Sequence, residues 1–349
     1  MDDRPLLQVL DEQVSRGTVR VPPYPATALR LQAVLAREYD VKELVEAMRT
    51  DPVFSGNLLR LANSPLYRRG TEVTAIAAAV ARVGSRELTR LAMASAMGQV
   101  ASRAGALRPL RQRVWRQSVA SALISETLAR RRGGDPAEAF VAGLLHDVGK
   151  LMVLAAIEDL LHRGPSSEPI GTWEALVERC HVKLGGLLAE RWQLPGVLGA
   201  VIVTHHDPIQ TAGPLTLTVI HADAVVALLE QHPSVDAAML AQLGLEAADV
   251  EVVLEIIPAI PAFMASLEVR EDGTPPRLTL TPAQDLSVGN GRLTVKAKLE
   301  LELDRLVEVV LQPEGLTFWA VVERKTALGE VVLRPFALSE HTARTWFEA

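Results

Sequence analysis

The sequence predicts a multi-domain α+β chain, an all-α body followed by a small antiparallel β-barrel. Three observations carry that expectation. From about residue 22 to 262, apolar residues recur at i, i+3, i+4 and i+7 and nowhere alternate for long. After about residue 267 the texture changes to short runs of period two between turn residues. Between the two, EVREDGTPPR, rich in charge, glycine and proline, reads as a linker. The expected units are therefore 15–262, made of lobes at about 15–100 and 107–262, and 268–349.

In the first lobe, ATALRLQAVLAREY and VKELVEAMR are helical, with breaks at Tyr39-Asp40, Asp51-Pro52 and Ser64-Pro65. Asp51 is placed to cap the next helix, and Pro52 stands at its first position, where a missing N–H costs nothing. That helix, DPVFSGNLLRLANS, has a polar side of Asp51, Asn57, Arg60, Asn63 and Ser64. It reads as a capped amphipathic core helix or as the lining of a groove between lobes. EVTAIAAAVARVG should end at Gly84, with Ser85 capping SRELTRLAMASAM. The second lobe runs through LRQRVWRQSVASALISETLARRR, DPAEAFVAGLLHDVGKLMVLAA, TWEALVERCHVKLGGLLAERW, LPGVLGAVIVTHHDP and LTLTVIHADAVVALLEQH to a segment after Ser234. Asp135-Pro136 and Leu194-Pro195 repeat the start signal. The strands expected are RLTLTPAQ, GRLTVKAKLELELD, LVEVVLQ, LTFWAVVER and EVVLRPF, closed by a helix from Ser339.

Composition narrows the function. At 349 residues the chain exceeds one typical domain. Aromatic residues are only 4%, so its cores are built of Leu, Ala and Val. A net charge of −6 without a basic run argues against nucleic acid as the main partner. The single Cys180 excludes an intramolecular disulfide and suits a reducing compartment. MDDRPLLQVLDEQV carries acid where a signal peptide needs base, and the apolar run VVLEIIPAIPAFMASL is interrupted. A cytoplasmic chain with no membrane span is expected.

Chemistry concentrates in GLLHDVGKLM at 143–152, where His146-Asp147 enters an apolar stretch. Titratable side chains seldom do so without partners. His181, His205-His206 and Asp223 complete a set of four histidines and two aspartates that different helices could bring together. Imidazole nitrogen and carboxylate are the donors of hydrolytic metal sites that hold Fe, Mn or Zn. Taken singly, each has a plainer account. His181 suits a hydrogen-bonded core histidine, His205-His206 a solvated helix end, and Asp223 a local ion pair. Cys180 reads as an inert buried thiol, and His162, His232 and His341 lie in polar contexts.

The ordered set resembles the HD-related output domain, HDOD. It comprises Trp115 to Ser118, Gly143 to Lys150, Glu178 to Gly185, Trp192 to Pro195, His205-His206 and His221 to Asp223, preceded by VPPYPATALRL, DPVFSGNLLRLANSPLY and AAAVARVG. The resemblance implies the fold of HD phosphohydrolases, which hold one or two metal ions, in a family regarded as regulatory. It also implies that the helix before His146 should contribute a further histidine. WRQSVA stands there, so Gln117 takes the ligand position with a poorer donor. His146, Asp147, His181, His205, His206 and Asp223 then form a vestigial metal site, with Asp147 in a polar knot and Lys150 either neutralising it or lying at the mouth of the pocket.

AQDLSVGNGRLTV and the strands after it resemble a PilZ domain, which implies cyclic di-GMP binding through an R-x-x-x-R pair and D/N-x-S-x-x-G. Asp285 and Ser287 match, the sixth position is Asn290, and Arg270 and Arg277 are the arginines available. Without that resemblance, QDLSVGNG is a hairpin with a Gly-Asn-Gly loop. The resulting expectation is a non-enzymatic signal-transduction regulator that needs no cofactor and meets an unidentified signalling protein. The alternatives are a metal-dependent phosphohydrolase acting on cyclic dinucleotides and a cyclic di-GMP receptor.

Overall fold

The computed structural model describes residues 22–161, 170–267, 277–280, 286–295 and 301–339, apart from 65, 69, 233, 290, 302, 304, 313–315 and 327–329, with positions 8, 12–14, 16, 18 and 19 before them. Arg270, Asp285, His162, His341, the linker and the helix expected after Ser339 lie outside the described residues.

The first lobe contains α1 (Ala26–Leu35), α2 (Val41–Arg49), α3 (Pro52–Ala62), α4 (Ile76–Val83) and α5 (Leu88–Ala101). Asp40 and Glu43 form a capping box on α2. Asp51 accepts from the Phe54 N–H at 2.9 Å to start α3. Gly84 ends α4 at φ 98°, a conformation open to glycine. Ser85 does not cap α5 as expected. Ser85–Glu87 forms a 3₁₀ turn, whose i to i+3 bonding satisfies N–H groups a cap would otherwise serve, and α5 starts at Leu88.

The second lobe contains α6 (Arg108–Arg132), α7 (Pro136–Leu145), α8 (Val148–Leu161), α9 (Ile170–Arg191), α10 (Gly196–Thr204), α11 (Pro214–Gln231), α12 (Ala237–Gln242), α13 (Ala247–Ile256) and α14 (Ile260–Leu267). The long α6 is its axis. Gly143 lets α7 close onto it, since a Cβ there would lie 2.7 Å from the Ser121 carbonyl oxygen. Pro136–Leu161 and Ala247–Leu267 are long and apolar enough to cross a membrane by composition, but most of each is buried inside the helical body.

The last helix returns to the first lobe. Asn57, fully buried on α3, donates to the Leu267 carbonyl at 3.0 Å and to Ser95 Oγ at 2.8 Å. Asn63 exchanges bonds with the Val73 backbone, and Asp51 accepts from Thr27. The polar side of α3 is thus used within the fold, as a capped core helix rather than an open groove.

The C-terminal sheet has β1 (Arg277–Leu280), β2 (Leu286–Gly289), β3 (Arg292–Val295), β4 (Leu306–Leu311), β5 (Leu316–Lys325) and β6 (Val331–Pro335), in the order β1-β4-β5-β6-β3-β2. It is mixed, not antiparallel throughout, because β1 runs parallel to β4. The β2–β3 hairpin intervenes between them in the chain, so no tight turn forces β1 and β4 to oppose. That hairpin pairs Gly289 with Arg292, and Gly291 has φ 68°, as a two-residue loop requires. One face curls over its own core, including Leu280, Leu293, Val309, Phe318 and Leu333. On the other, Leu306, Val321 and Phe336 join the helical core, and Arg334 pairs with Glu230 of α11 at 2.7 Å. The sheet therefore rests on the C-terminal end of α11.

Asn57→Ala would leave the Leu267 carbonyl and the Ser95 hydroxyl without that partner. It should cost about 1–3 kcal/mol, read as a lower urea midpoint with an unchanged slope.

Candidate metal centre

His146 follows the last residue of α7, and Asp147 precedes the first of α8. The pair thus occupies the break between two helices. His205 likewise caps α10, with His206 next to it. His146 and His205 thus each stand at the C-terminal, negative end of a helix, which favours a cation, whereas Asp147 stands at the N-terminal end of α8, which favours its carboxylate. His181 comes from the middle of α9 and Asp223 from α11.

Glycines set the convergence. A Cβ on Gly149 would collide with the His181 carbonyl oxygen and lie 2.8 Å from the Gly185 nitrogen, so α8 and α9 cross with their backbones in contact. A Cβ on Gly185 would lie 2.6 Å from Ile202, so α10 closes on the same place. Asp147 is two residues from the first crossing, and His205 three from the second.

Each buried imidazole is held the same way. Nδ1 of His146, His181 and His205 bonds the carbonyl three residues back on its own helix, at Gly143 (2.8 Å), Glu178 (2.7 Å) and Ile202 (3.0 Å). Donation from Nδ1 fixes the tautomer and turns Nε2 inward as a lone pair. Nε2 of His181 and of His205 stand 3.3 Å and 3.4 Å from Asp147 Oδ1, and His206 Nε2 is 3.0 Å from His181 Nε2. These four residues could hold a cation together. His146 Nε2, 3.5 Å from Asp147 Oδ2 and 3.4 Å from Asp223 Oδ1, defines a second group of ligand atoms. Asp147 Oδ1 and the Nε2 atoms of His146 and His205 are buried without a hydrogen-bond partner among the described residues. Orphaned buried donors aimed at one point fit a divalent ion.

The electrostatics agree. Burial penalises a charged Asp147, yet His146, His205 and Lys150 around it hold its carboxyl well below the usual range. Burial, the larger effect on each imidazole taken alone, lowers His181 and His206, leaving them neutral ligands. His146 differs. Burial lowers it too, but the Asp147 and Asp223 carboxylates raise it to about 9, so an ion there must displace a proton.

All six expected site residues meet, while Gln117 is half-buried on α6 and bonds none of them. Lys150 pairs with Asp147 Oδ2 at 2.8 Å, and with Glu178 at 2.9 Å. Glu178, part of the quoted pattern, carried no expected role; nothing in sequence links it to a lysine on another helix. Also missed was the bond network of Arg132 with buried Asp249 (2.8 Å) and His221 (3.0 Å), which places His221 away from the cluster. Arg277, on β1, pairs with Glu308 of β4, and Ser287 is exposed on β2, with four strands between β1 and β2.

The HDOD domain family matches residues 21–208, more than half of the sequence. The chain belongs to the HDOD family. An uncharacterized protein of Treponema pallidum (strain Nichols) is 24% identical over 222 residues, 60% of this chain and 43% of the relative, so the HDOD chain spans less than half of that protein's length. The crystal structure of an HDOD domain protein with unknown function from Geobacter sulfurreducens superposes with a TM-score of 0.55 at 25% identity, over 75% of this chain and 97% of that one. That of a candidate metal-dependent phosphohydrolase from Shewanella amazonensis SB2B superposes at 0.60 with 21% identity, over 75% and 98%. At that identity the likeness is one of fold.

Gly149→Ala should destabilise this HDOD body by about 3 kcal/mol or prevent folding, because two backbones must separate. Gly196→Ala, with nothing near its would-be Cβ, should leave the thermal midpoint unchanged. Thermal unfolding followed by circular dichroism checks both.

Proposed function

We propose that this HDOD chain is a non-enzymatic signal-transduction module whose helical body is knit together by a divalent cation, Fe, Mn or Zn. The observation that carries the reading is the meeting of His181 and His205 Nε2 at Asp147 Oδ1, each ring pinned through Nδ1 to its own helix. Bound there with His206, the ion supplies the positive charge that these inward-facing donors lack. Asp147, His181 and His205 are each at most 5% exposed and only His206 of this ligand group reaches the surface, so most of the ion's shell would be closed to a substrate.

Two clefts lie apart from the cluster. One of about 590 Å³ lies at Arg132, His221 and Asp249, and one of about 300 Å³ at Tyr24 and Trp192. Neither is lined by the cluster. The module acts in the cytoplasm, which its single cysteine suits, on a signalling protein that the sheet or the helical surface engages.

A second reading, a phosphohydrolase of cyclic dinucleotides, is favoured by the adjacent group of His146, Asp147 and Asp223, whose Asp223 side chain is 43% exposed. A PilZ-like cyclic di-GMP receptor has less support, because Arg277 and Ser287 stand on opposite edge strands.

Elemental analysis joined to a phosphodiesterase assay tests the proposal. About one ion per chain is expected, with affinity at least about tenfold lower in His205→Ala and no hydrolysis of cyclic dinucleotides. Turnover that disappears in Asp147→Ala would make the chain a hydrolase instead.

A further inference from the structure

The two oxygens of Asp147 face different partners. Oδ1 meets the imidazoles of α9 and α10. Oδ2 meets the Lys150 ammonium at 2.8 Å, closer than His146 Nε2 at 3.5 Å. The local backbone makes this contact, because Lys150 N–H donates to the Asp147 carbonyl in the first turn of α8, which stacks the lysine over the carboxylate. Glu178, from α9, holds the ammonium from the other side at 2.9 Å. The Lys150 side chain is only 13% exposed, so its head is fixed beside the cluster rather than spread in solvent.

We infer that Lys150 serves as a built-in second cation, clamped between Asp147 Oδ2 and Glu178, and so limits the cluster to one divalent ion. The inference rests on the metal-binding reading above. The second ligand group, His146, Asp147 and Asp223, has the donor types a dication needs. The ammonium cancels the charge that Asp147 would lend it, leaving Asp223 as its uncompensated carboxylate. A dication sharing Oδ2 would also sit within a few ångströms of a fixed like charge. The first position is spared this cost, since it uses Oδ1, on the side of the carboxylate away from the ammonium, and imidazole nitrogens. With one ion, the paired clamp that two-metal hydrolases place on attacking and leaving oxygens is not formed.

Calorimetric titration of metal-stripped full-length protein with Mn²⁺, checked by elemental analysis, tests this in wild type, Lys150→Met and Glu178→Gln. Wild type should take one ion per chain. Lys150→Met, which keeps the bulk and removes the charge, should take a second with affinity raised at least about tenfold. Electron paramagnetic resonance should then change from isolated Mn²⁺ to exchange-coupled pairs, a signature that lost packing cannot produce. Glu178→Gln, which keeps the ammonium but removes the carboxylate that offsets it, should move the opposite way, taking no second ion and binding the first more weakly than wild type. Because the Glu178 side chain is 59% exposed, that variant carries the test if Lys150→Met does not fold. Two ions in wild type, or wild-type isotherms in the variants, overturn the inference and leave the metal reading standing. No ion in wild type overturns both.

Discussion

The carboxylate of Asp147 is buried where α8 begins, against α9, α10 and α11, and the arrangement around it depends on its charge. A buried carboxylate persists only if cations and hydrogen bonds replace the water it has lost. Here Lys150 serves one oxygen, while two imidazoles turn their nitrogens to the other. The lysine satisfies its oxygen directly. The histidines do not satisfy theirs, because their Nδ1 atoms are committed to backbone carbonyls and their Nε2 atoms face it as acceptors. That half-satisfied group is the strongest physical sign of a bound cation in the molecule.

Backbone geometry supports this electrostatic centre. Gly149 and Gly185 remove the side chains that would hold α8, α9 and α10 apart, and the chain breaks at His146-Asp147 so that both residues face inward. The negative ends of α7 and α10 point to the same place. On α11, the residue that reaches the cluster, Asp223, and the residue that holds the sheet, Glu230, lie two turns apart.

Much of the helical body was legible because its signals are local. Asp40, Asp51-Pro52, Asp135-Pro136 and Gly84 mark helix ends by chemistry that acts within one turn. The six histidines and aspartates were legible as a set through their order along the chain, and the structure brings them together. Distance in sequence hid the rest. The clamp of Glu178 on Lys150 and the bonds of Arg132 to Asp249 and His221 join helices far apart in the chain. Strand direction was hidden too, since alternation reveals which face of β1 is buried but not which way its partner runs. Gln117, read as a weakened ligand from its place in a pattern, lies half-buried on α6.

The central claim is that the donors around Asp147 Oδ1 hold a metal ion. X-ray absorption at the metal edge of the protein as purified tests it most directly. The account predicts a first shell dominated by imidazole nitrogen at about 2.0–2.1 Å, with the outer-shell scattering of histidine rings, and its loss in His181→Ala. A metal surrounded by oxygen alone, with the spectrum unaltered by that substitution, would contradict it.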